Sequence, residues 1–363
     1  MKNGLDDVVA TETTLSDVDG LGGILIIRGR SLDELAGVVS YEELLALLLS
    51  DAFDEKLDAD GLRTRIGLAR QEVFRTIPDA AAPLLALPVT DAVRALTAQF
   101  TDGDDLATAL RLIAAPAVFT PAVIRLKNGQ APVAPDTALS HAADILHMLH
   151  GRTVTRQEAA ALDTYLVTVS DHGMNASTFA ARVVASTHAG LVSSVLAAFG
   201  ALKGPLHGGA PGPVLDMLDA IGTPDNAETW LERALDDGER LMGFGHRIYR
   251  VRDPRADALM QALRRLAGTG NHGAGRFKLA ESVEAAALRI LARRKPDRPL
   301  KTNVEFYTAL LLETLGFPRD SFTSVFAMGR VGGWIAHARE QTQHGRLIRP
   351  QSRYIGPRAI KAA

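Results

Sequence analysis

Apolar positions recur at helical spacing along most of this chain. Three such runs open on a hydroxyl residue followed three positions later by glutamate: "SLDELAGVV" from Ser31 to Glu34 onward, "SYEELLALLL" from Ser40 to Glu43 onward, and "TRQEAAALDTYLVTVS" from Thr155 to Glu158 onward. Each reads as a capping box at the start of a helix, with hydroxyl and carboxylate satisfying each other's free backbone donors. "AETWLERALDDG" follows Asp225 and Asn226 and stops at a glycine, as helices commonly do. "GRFKLAESVEAAALRILARRK" combines an apolar stripe with cations in its last turn, where they complement the helix dipole. Only "GGILIIRGR", residues 22 to 30, reads as strand. No alternation of strand and helix appears, so the predicted fold class is mainly α.

Proline and glycine mark three joints: residues 121–136, 204–213 and 268–275. Val183 to Leu202 carries no Asp, Glu, Lys or Arg over a length that would span a bilayer. Its hydroxyls, alanines and glycines suit close helix packing inside a protein instead, and the expectation is a buried core helix interrupted near Gly190. The N-terminal "MKNGLDDVVATETTLSDVDG" is acidic and lacks the apolar region of a signal peptide.

The chain has 363 residues, 47% hydrophobic and 23% charged, with a formal net charge of −2. That is enough for a large and a smaller domain, and the mixed charge carries no nucleic-acid or membrane-surface footprint. There are no cysteines, which excludes disulfides, thiolate nucleophiles and cysteine-held metals, and suits a cytoplasmic protein. Metal-ligand spacings such as HExxH are missing; His147 and His150 lie one turn apart without a third ligand and are expected on a solvated face. Phosphate-loop and nucleophile-elbow patterns are missing too.

Three of the ten histidines sit among turn residues: His172 in "SDHGMNAS", His207 in "KGPLHGGAPG" and His246 in "MGFGHRIYR". Neighbouring glycines lack the Cβ that would hold a ligand away. Each histidine taken alone also reads as a hydrogen-bonded structural residue. Arginines gather nearby in sequence, with Arg247, Arg250, Arg252 and Arg255 in one stretch and Arg349 near the C-terminus. Arg330 interrupts the apolar "SVFAMGRVGGWIAHA", where its charge is costly unless it meets an internal carboxylate or a bound anion. Glu305 lies in "KTNVEFYTALLL", and alone reads as the glutamate of a Thr302 capping box.

Together these segments resemble the citrate synthase family. The shared pieces run in order: "GLDDVVATETTLSDVDG", "IIRGR" and "LDELA"; then "DHGMNASTFAARVVAST" and "GALKGPLHGGA"; then "LMGFGHRIYRVRDPRA", "TNVEFY" and "GRLIRPQSRYIG". Residues 55 to 140 match least. The resemblance implies an almost wholly helical homodimer of the shorter, non-hexameric kind. Its large domain would comprise residues 1–209 and 313–363, and its small domain residues 210–312. The uncharged 183–202 stretch would lie at or near the dimer interface.

It also implies condensation of acetyl-CoA with oxaloacetate and water to give citrate and CoA, with no cofactor or metal. His207 would hydrogen-bond the thioester oxygen, His246 the oxaloacetate ketone, and Glu305 would remove the methyl proton. His172, Arg255 and Arg330 would hold oxaloacetate together with His246, and Arg349 would complete the partner subunit's site. Arg250 would meet a CoA phosphate, with Gly243, Gly245, Lys301 and Asn303 as further CoA contacts. Two departures stand out: glutamate at 305 where most of the family has aspartate, and "HGGAPGP" where much of it reads "HGGAN". The alternatives are 2-methylcitrate synthesis from propionyl-CoA and a non-catalytic paralogue that binds CoA or oxaloacetate.

Overall fold

The computed structural model describes residue 5 and residues 8–77, 79–208, 211–246, 248–268, 274–297 and 300–357. Arg247 and the centres of the joints at 209–210 and 269–273 lie outside the described residues. The chain begins with three short antiparallel strands, β1 (Ser16–Asp19), β2 (Ile24–Ile27) and β3 (Arg30–Ser31), paired in that order. Arg28 and Gly29 join β2 to β3 with φ of 49° and 78°, the backbone twist that a two-residue hairpin turn requires. β1 escapes the sequence pattern because "SDVD" is polar, and it becomes a strand only by pairing with the apolar β2.

Helices follow: α1 (Tyr41–Leu48), α2 (Ala59–Phe74), α3 (Val89–Thr97), α4 (Leu106–Lys127), α5 (His141–His150), α6 (Arg156–Val169), α7 (Ala176–Ala185) and α8 (Leu191–Leu202). Beyond the His207 turn come α9 (Pro211–Ile221), α10 (Ala227–Asp236), α11 (Pro254–Ala267), α12 (Ala274–Arg294), α13 (Val304–Thr314) and α14 (Phe322–His344). The capping boxes predicted for α1 and α6 form with both bonds in place. The last-turn cations of α12, Arg293 and Arg294, pair across to Glu232 and Asp236 of α10.

Some expectations change. "SLDELAGVV" forms its Ser31–Glu34 box, with Glu34 Oε2 accepting from the Ser31 amide at 2.8 Å, but gives only a single 3₁₀ turn at Leu32–Glu34. Gly37, at φ 74°, turns the chain before another turn of helix can form. The 121–136 joint begins late, because Pro116 and Pro121 both sit inside α4. That 22-residue helix, with mean hydropathy 1.6, is the one described helix long and apolar enough to cross a membrane, yet it is almost wholly buried among α2, α3, α5 and α14. The 183–202 stretch divides into the end of α7 and α8, broken at His188 and Gly190 with φ of 59° and 99°. His150 is half-buried and its Nε2 meets the Leu315 carbonyl at 3.0 Å, so it is not on a solvated face.

Packing sets up the centre of the molecule. α14 is buried over most of its length around Trp334, and its small residues let neighbours in. A Cβ at Gly329 would come within 2.5 Å of Val169, and one at Gly333 within 2.3 Å of the Ser170 carbonyl. Those glycines seat the end of α6, and the loop after it, directly on α14 beside Arg330.

Candidate active site

Two distant stretches form a short ribbon. Phe244 and Thr302 make an antiparallel bridge, flanked by Gly245 N–H to the Lys301 carbonyl at 2.7 Å and Asn303 N–H to the Gly243 carbonyl at 3.0 Å. Gly243 and Gly245 adopt φ of 85° and 86°, and a Cβ on Gly243 would strike Phe306 at 2.8 Å. The two glycines are therefore required by the backbone itself. The ribbon delivers His246 on one side and the start of α13, with Glu305, on the other.

The cap of α13 is Asn303, whose Oδ1 accepts from the Glu305 amide at 3.1 Å while its Nδ2 donates to the Gly245 carbonyl at 2.7 Å. The Thr302 capping box does not form. Thr302 donates instead to Glu284 at 2.5 Å, a carboxylate also bound by Arg252 at 2.7 Å and by the Tyr307 hydroxyl at 2.5 Å. Glu305 is released from helix capping, and its carboxylate accepts no hydrogen bond from a described residue. Burial pushes it up to about 7, with Asp253 adding to the rise and the Arg255 and Arg330 guanidiniums opposing it.

His246 has a defined tautomer. Its Nδ1 accepts from the amides of Ile248 and Tyr249, both at 3.0 Å, so in the neutral ring the proton sits on Nε2. Burial and the nearby Arg255 hold it neutral, with a pKa of about 4. Nε2 lies 3.1 Å from Arg255 Nη2, which is also a donor. With Nε2 protonated, the two donors face each other with no acceptor between them, and a ligand oxygen reaching both would supply one. Arg255 is itself clamped by Asp253, Nε to Oδ1 at 3.0 Å and Nη2 to Oδ2 at 2.9 Å.

His172 sits in the loop between α6 and α7, with its Nε2 3.1 Å from the Tyr249 hydroxyl. Burial, then Arg255, Arg330 and His246, keep it well below the usual imidazole range. Its loop is fixed from behind by Asp171, which accepts from His337 Nε2 at 3.1 Å, while His337 Nδ1 accepts from Arg182.

Arg330 is 1% exposed and forms no ion pair among the described residues. Its Nε donates to the Val169 carbonyl at 2.6 Å and its carbon lies 4.9 Å from the Phe326 ring centre, but Nη1 has no partner. Burial and Arg255 bring its pKa down to about 10. A buried guanidinium with an orphaned nitrogen is suited to an anionic ligand. No internal carboxylate of the kind the sequence allowed pairs with it among the described residues; Asp171 and Glu305 act on it only through their charge.

His207 follows α8 in a tight turn, its amide on the Gly204 carbonyl at 2.9 Å. Its Nε2 lies 2.8 Å from Ser177 Oγ, which also accepts from Trp334 Nε1 at 3.1 Å and lies 2.7 Å from Asn175 Oδ1. The Ser177 proton can serve either Asn175 or His207, and given to His207 it leaves the ring proton on Nδ1. Burial, with Arg330 and Arg255, holds this imidazole neutral as well, at about 4.

Comparison with known proteins accords with this geometry. The family model "Citrate synthase, C-terminal domain" matches residues 4–351. The citrate synthase of Haloferax volcanii is 38% identical, with 99% of this chain and 97% of the relative covered. The chain belongs to the citrate synthase family. Among solved structures, Pyrobaculum aerophilum citrate synthase superposes with a TM-score of 0.85 at 32% identity, covering 98% of this chain and 93% of that one. Citrate synthase from Thermoplasma acidophilum, solved as a ternary complex with carboxymethyl coenzyme A and oxaloacetate, gives 0.83 at 29%, covering 98% and 96%. This chain is thus an acyltransferase of the citrate synthase type, on a mainly helical fold.

Of the sequence-predicted site residues, His172, His207, His246, Arg255, Arg330 and Glu305 gather around this centre. Arg250 is exposed and its side chain has no partner among the described residues, and Lys301 is exposed at the ribbon. Gly245 lines a cavity of about 560 Å³ beside His246, with Arg240, Lys295, Leu241, Phe244 and Leu300. Arg349 stands apart in the exposed segment after α14. Sequence reading missed Ser177, Tyr249, Asp253 and Trp334. Asp253 had a visible signal, since "DPR" places an aspartate at the cap of a proline-started helix.

Proposed function

We propose that this citrate synthase joins the methyl carbon of acetyl-CoA to the ketone carbon of oxaloacetate, then releases CoA by hydrolysis. The observation that carries the reading is the orphaned, buried Arg330 beside the convergent donors of His246 and Arg255. A dianion with a ketone between its carboxylates supplies the acceptors these groups lack.

In this reading Glu305 removes a methyl proton while His207, accepting from Ser177 at Nε2, donates Nδ1–H to the thioester oxygen as the enolate forms. The carboxylate is a weak base, so the two groups must act together. The new carbon nucleophile attacks the ketone. Its oxygen, becoming an alkoxide, takes the proton from His246 Nε2, whose opposite nitrogen is fixed by two amides. Water then cleaves the citryl thioester. The cavity lined by Arg240 and Lys295 offers apolar floor and cations for the nucleotide end of CoA, and Arg250 lies exposed nearby in sequence for its phosphates.

Residues 210–312 are proposed to act as a small domain bearing His246, Arg255 and Glu305. The assembly is proposed to be a homodimer in which Arg349 completes the partner's site. The segment carrying it is tied down by Ile348 N–H to Ser186 Oγ at 3.1 Å and Gln341 Nε2 to the Arg346 carbonyl at 2.9 Å, which leaves Arg349 facing outward.

Thiol release with acetyl-CoA or propionyl-CoA, each with oxaloacetate, tests the reaction. Higher kcat/KM with acetyl-CoA is expected. A propionyl-CoA preference would reassign the enzyme to methylcitrate synthesis, and no release with either would overturn the reading. For the dimer, inactive Arg349→Ala and His246→Ala proteins should regain part of their activity when refolded together; no recovery counts against a shared site.

A further inference from the structure

One residue outside the predicted set touches three proposed oxaloacetate ligands. Tyr249 is 3% exposed, and its ring centre lies 4.8 Å from that of His246 and 5.6 Å from that of His172. The Arg255 guanidinium carbon sits 5.9 Å from the same ring centre. Its backbone amide donates to His246 Nδ1 at 3.0 Å, and its hydroxyl meets His172 Nε2 at 3.1 Å. The first bond sets the tautomer of one imidazole; the second holds the ring of the other. No other described residue hydrogen-bonds the His172 side chain.

The His172–Tyr249 bond is also a link between distant parts of the chain. His172 belongs to the loop seated on α14, and Tyr249 belongs to the loop that leaves the Gly243–Gly245 ribbon. The hydroxyl is buried, and burial pushes the phenol above its ordinary range, so it remains an O–H across neutral pH. Apolar packing alone would be served equally by phenylalanine. A buried hydroxyl carries a desolvation cost that its single ring partner offsets.

We propose that Tyr249 is a positioning residue for the oxaloacetate half of the reaction, its hydroxyl holding the His172 imidazole in the plane from which it grips the substrate. The role centres on the four-carbon substrate, because the hydroxyl's partner His172, like Arg255, lies off the cavity beside Arg240 and Lys295, and only His246, which Tyr249 meets through its ring and backbone amide, also lines it. This inference rests on the oxaloacetate reading of the site.

Steady-state kinetics of Tyr249→Phe in the full-length enzyme test it. One lost hydrogen bond predicts a rise of about fivefold to tenfold in the KM for oxaloacetate. The acyl-CoA KM, kcat within about twofold, and Tm should be unchanged, since the ring packing is kept. An unchanged oxaloacetate KM would overturn the proposal, as would a uniform loss in all parameters with a lowered Tm. A double-mutant cycle with His172→Gln adds a second arm: Tyr249→Phe should cost nothing further in that background, and additive effects would mean that Tyr249 does not act through His172. Calorimetric binding of oxaloacetate to the wild type separates the two levels. No binding there removes the site reading itself, whereas equal affinity in wild type and Tyr249→Phe removes only the role of the hydroxyl.

Discussion

Asp253 Oδ2 accepts the backbone N–H of Val304 at 3.1 Å, one residue before Glu305. The same carboxylate caps α11 through the Arg255 amide at 3.1 Å and clamps the Arg255 guanidinium. A single buried carboxylate thus fixes Arg255 and the N-terminus of the helix bearing Glu305. Asp253→Asn leaves Arg255 buried with half its partner gone. A stability loss of about 3 kcal/mol is expected in urea unfolding, of the size found when a buried pair is broken. The KM for oxaloacetate should rise at least tenfold.

Glu305 and the histidines titrate in separate ranges. Burial raises Glu305 to about 7, while His207 and His246 stay neutral above about 4. A base acts only when deprotonated, so kcat/KM for the acyl-CoA should fall below pH 7 along a single acid limb, and no histidine limb should appear between pH 5 and 8. Glu305→Gln should lower kcat by about 10²–10⁴-fold and abolish that limb.

Its effect on stability has a defined sign. The folded pKa lies above the ordinary 4.5, so the carboxylate costs stability increasingly between pH 4.5 and 7. Relative to wild type, Glu305→Gln should raise Tm more at pH 8 than at pH 4.5. Equal Tm differences at both values would contradict the burial of a costly charge at this position.

Asn303 and Thr302 separate two roles that the sequence had merged. Asn303→Ala removes the α13 cap and the tie to the Gly245 carbonyl, so it should cost about 1–2 kcal/mol and reduce kcat as well. Thr302→Val breaks only the bond to Glu284, and is expected to lower stability with kcat nearly intact. Comparable kcat losses in the two variants would mean that the cap does not position the base.

Arg330 carries a trade between binding and stability. Its charge is buried without an ion pair among the described residues, so Arg330→Met should raise Tm while weakening oxaloacetate binding about 100-fold or more, read by calorimetry. A lowered Tm would show that its bond to the Val169 carbonyl outweighs the desolvation of the charge.

Helix content and the core of the site were legible because capping boxes and glycine-flanked histidines are local signals. The capping boxes at Ser40 and Thr155 need only four residues to declare themselves, and α1 and α6 follow. What stayed hidden is nonlocal. Thr302 satisfied the capping pattern, but Glu284, eighteen residues upstream on α12, competes for its hydroxyl, and the cap passes to Asn303. β1 depends on a partner strand, and α4 keeps two prolines because neighbouring helices bury it on all sides. Ser177 reads as an ordinary first-turn serine until the fold brings His207 and Trp334 to its oxygen.

The ribbon formed by residues 243–245 and 301–303 has a kinematic meaning. It welds His246 and Glu305 into one frame, while His207, His172 and Arg330 ride on the frame built around α14. The groups proposed as proton donor for the ketone and as base are therefore held at a separation that the ribbon itself fixes. Enolisation as proposed, by contrast, would draw one group from each: Glu305 for the methyl proton and His207 for the thioester oxygen. In the proposed reading, the first chemical step is therefore the one that depends on how the two frames are placed relative to each other.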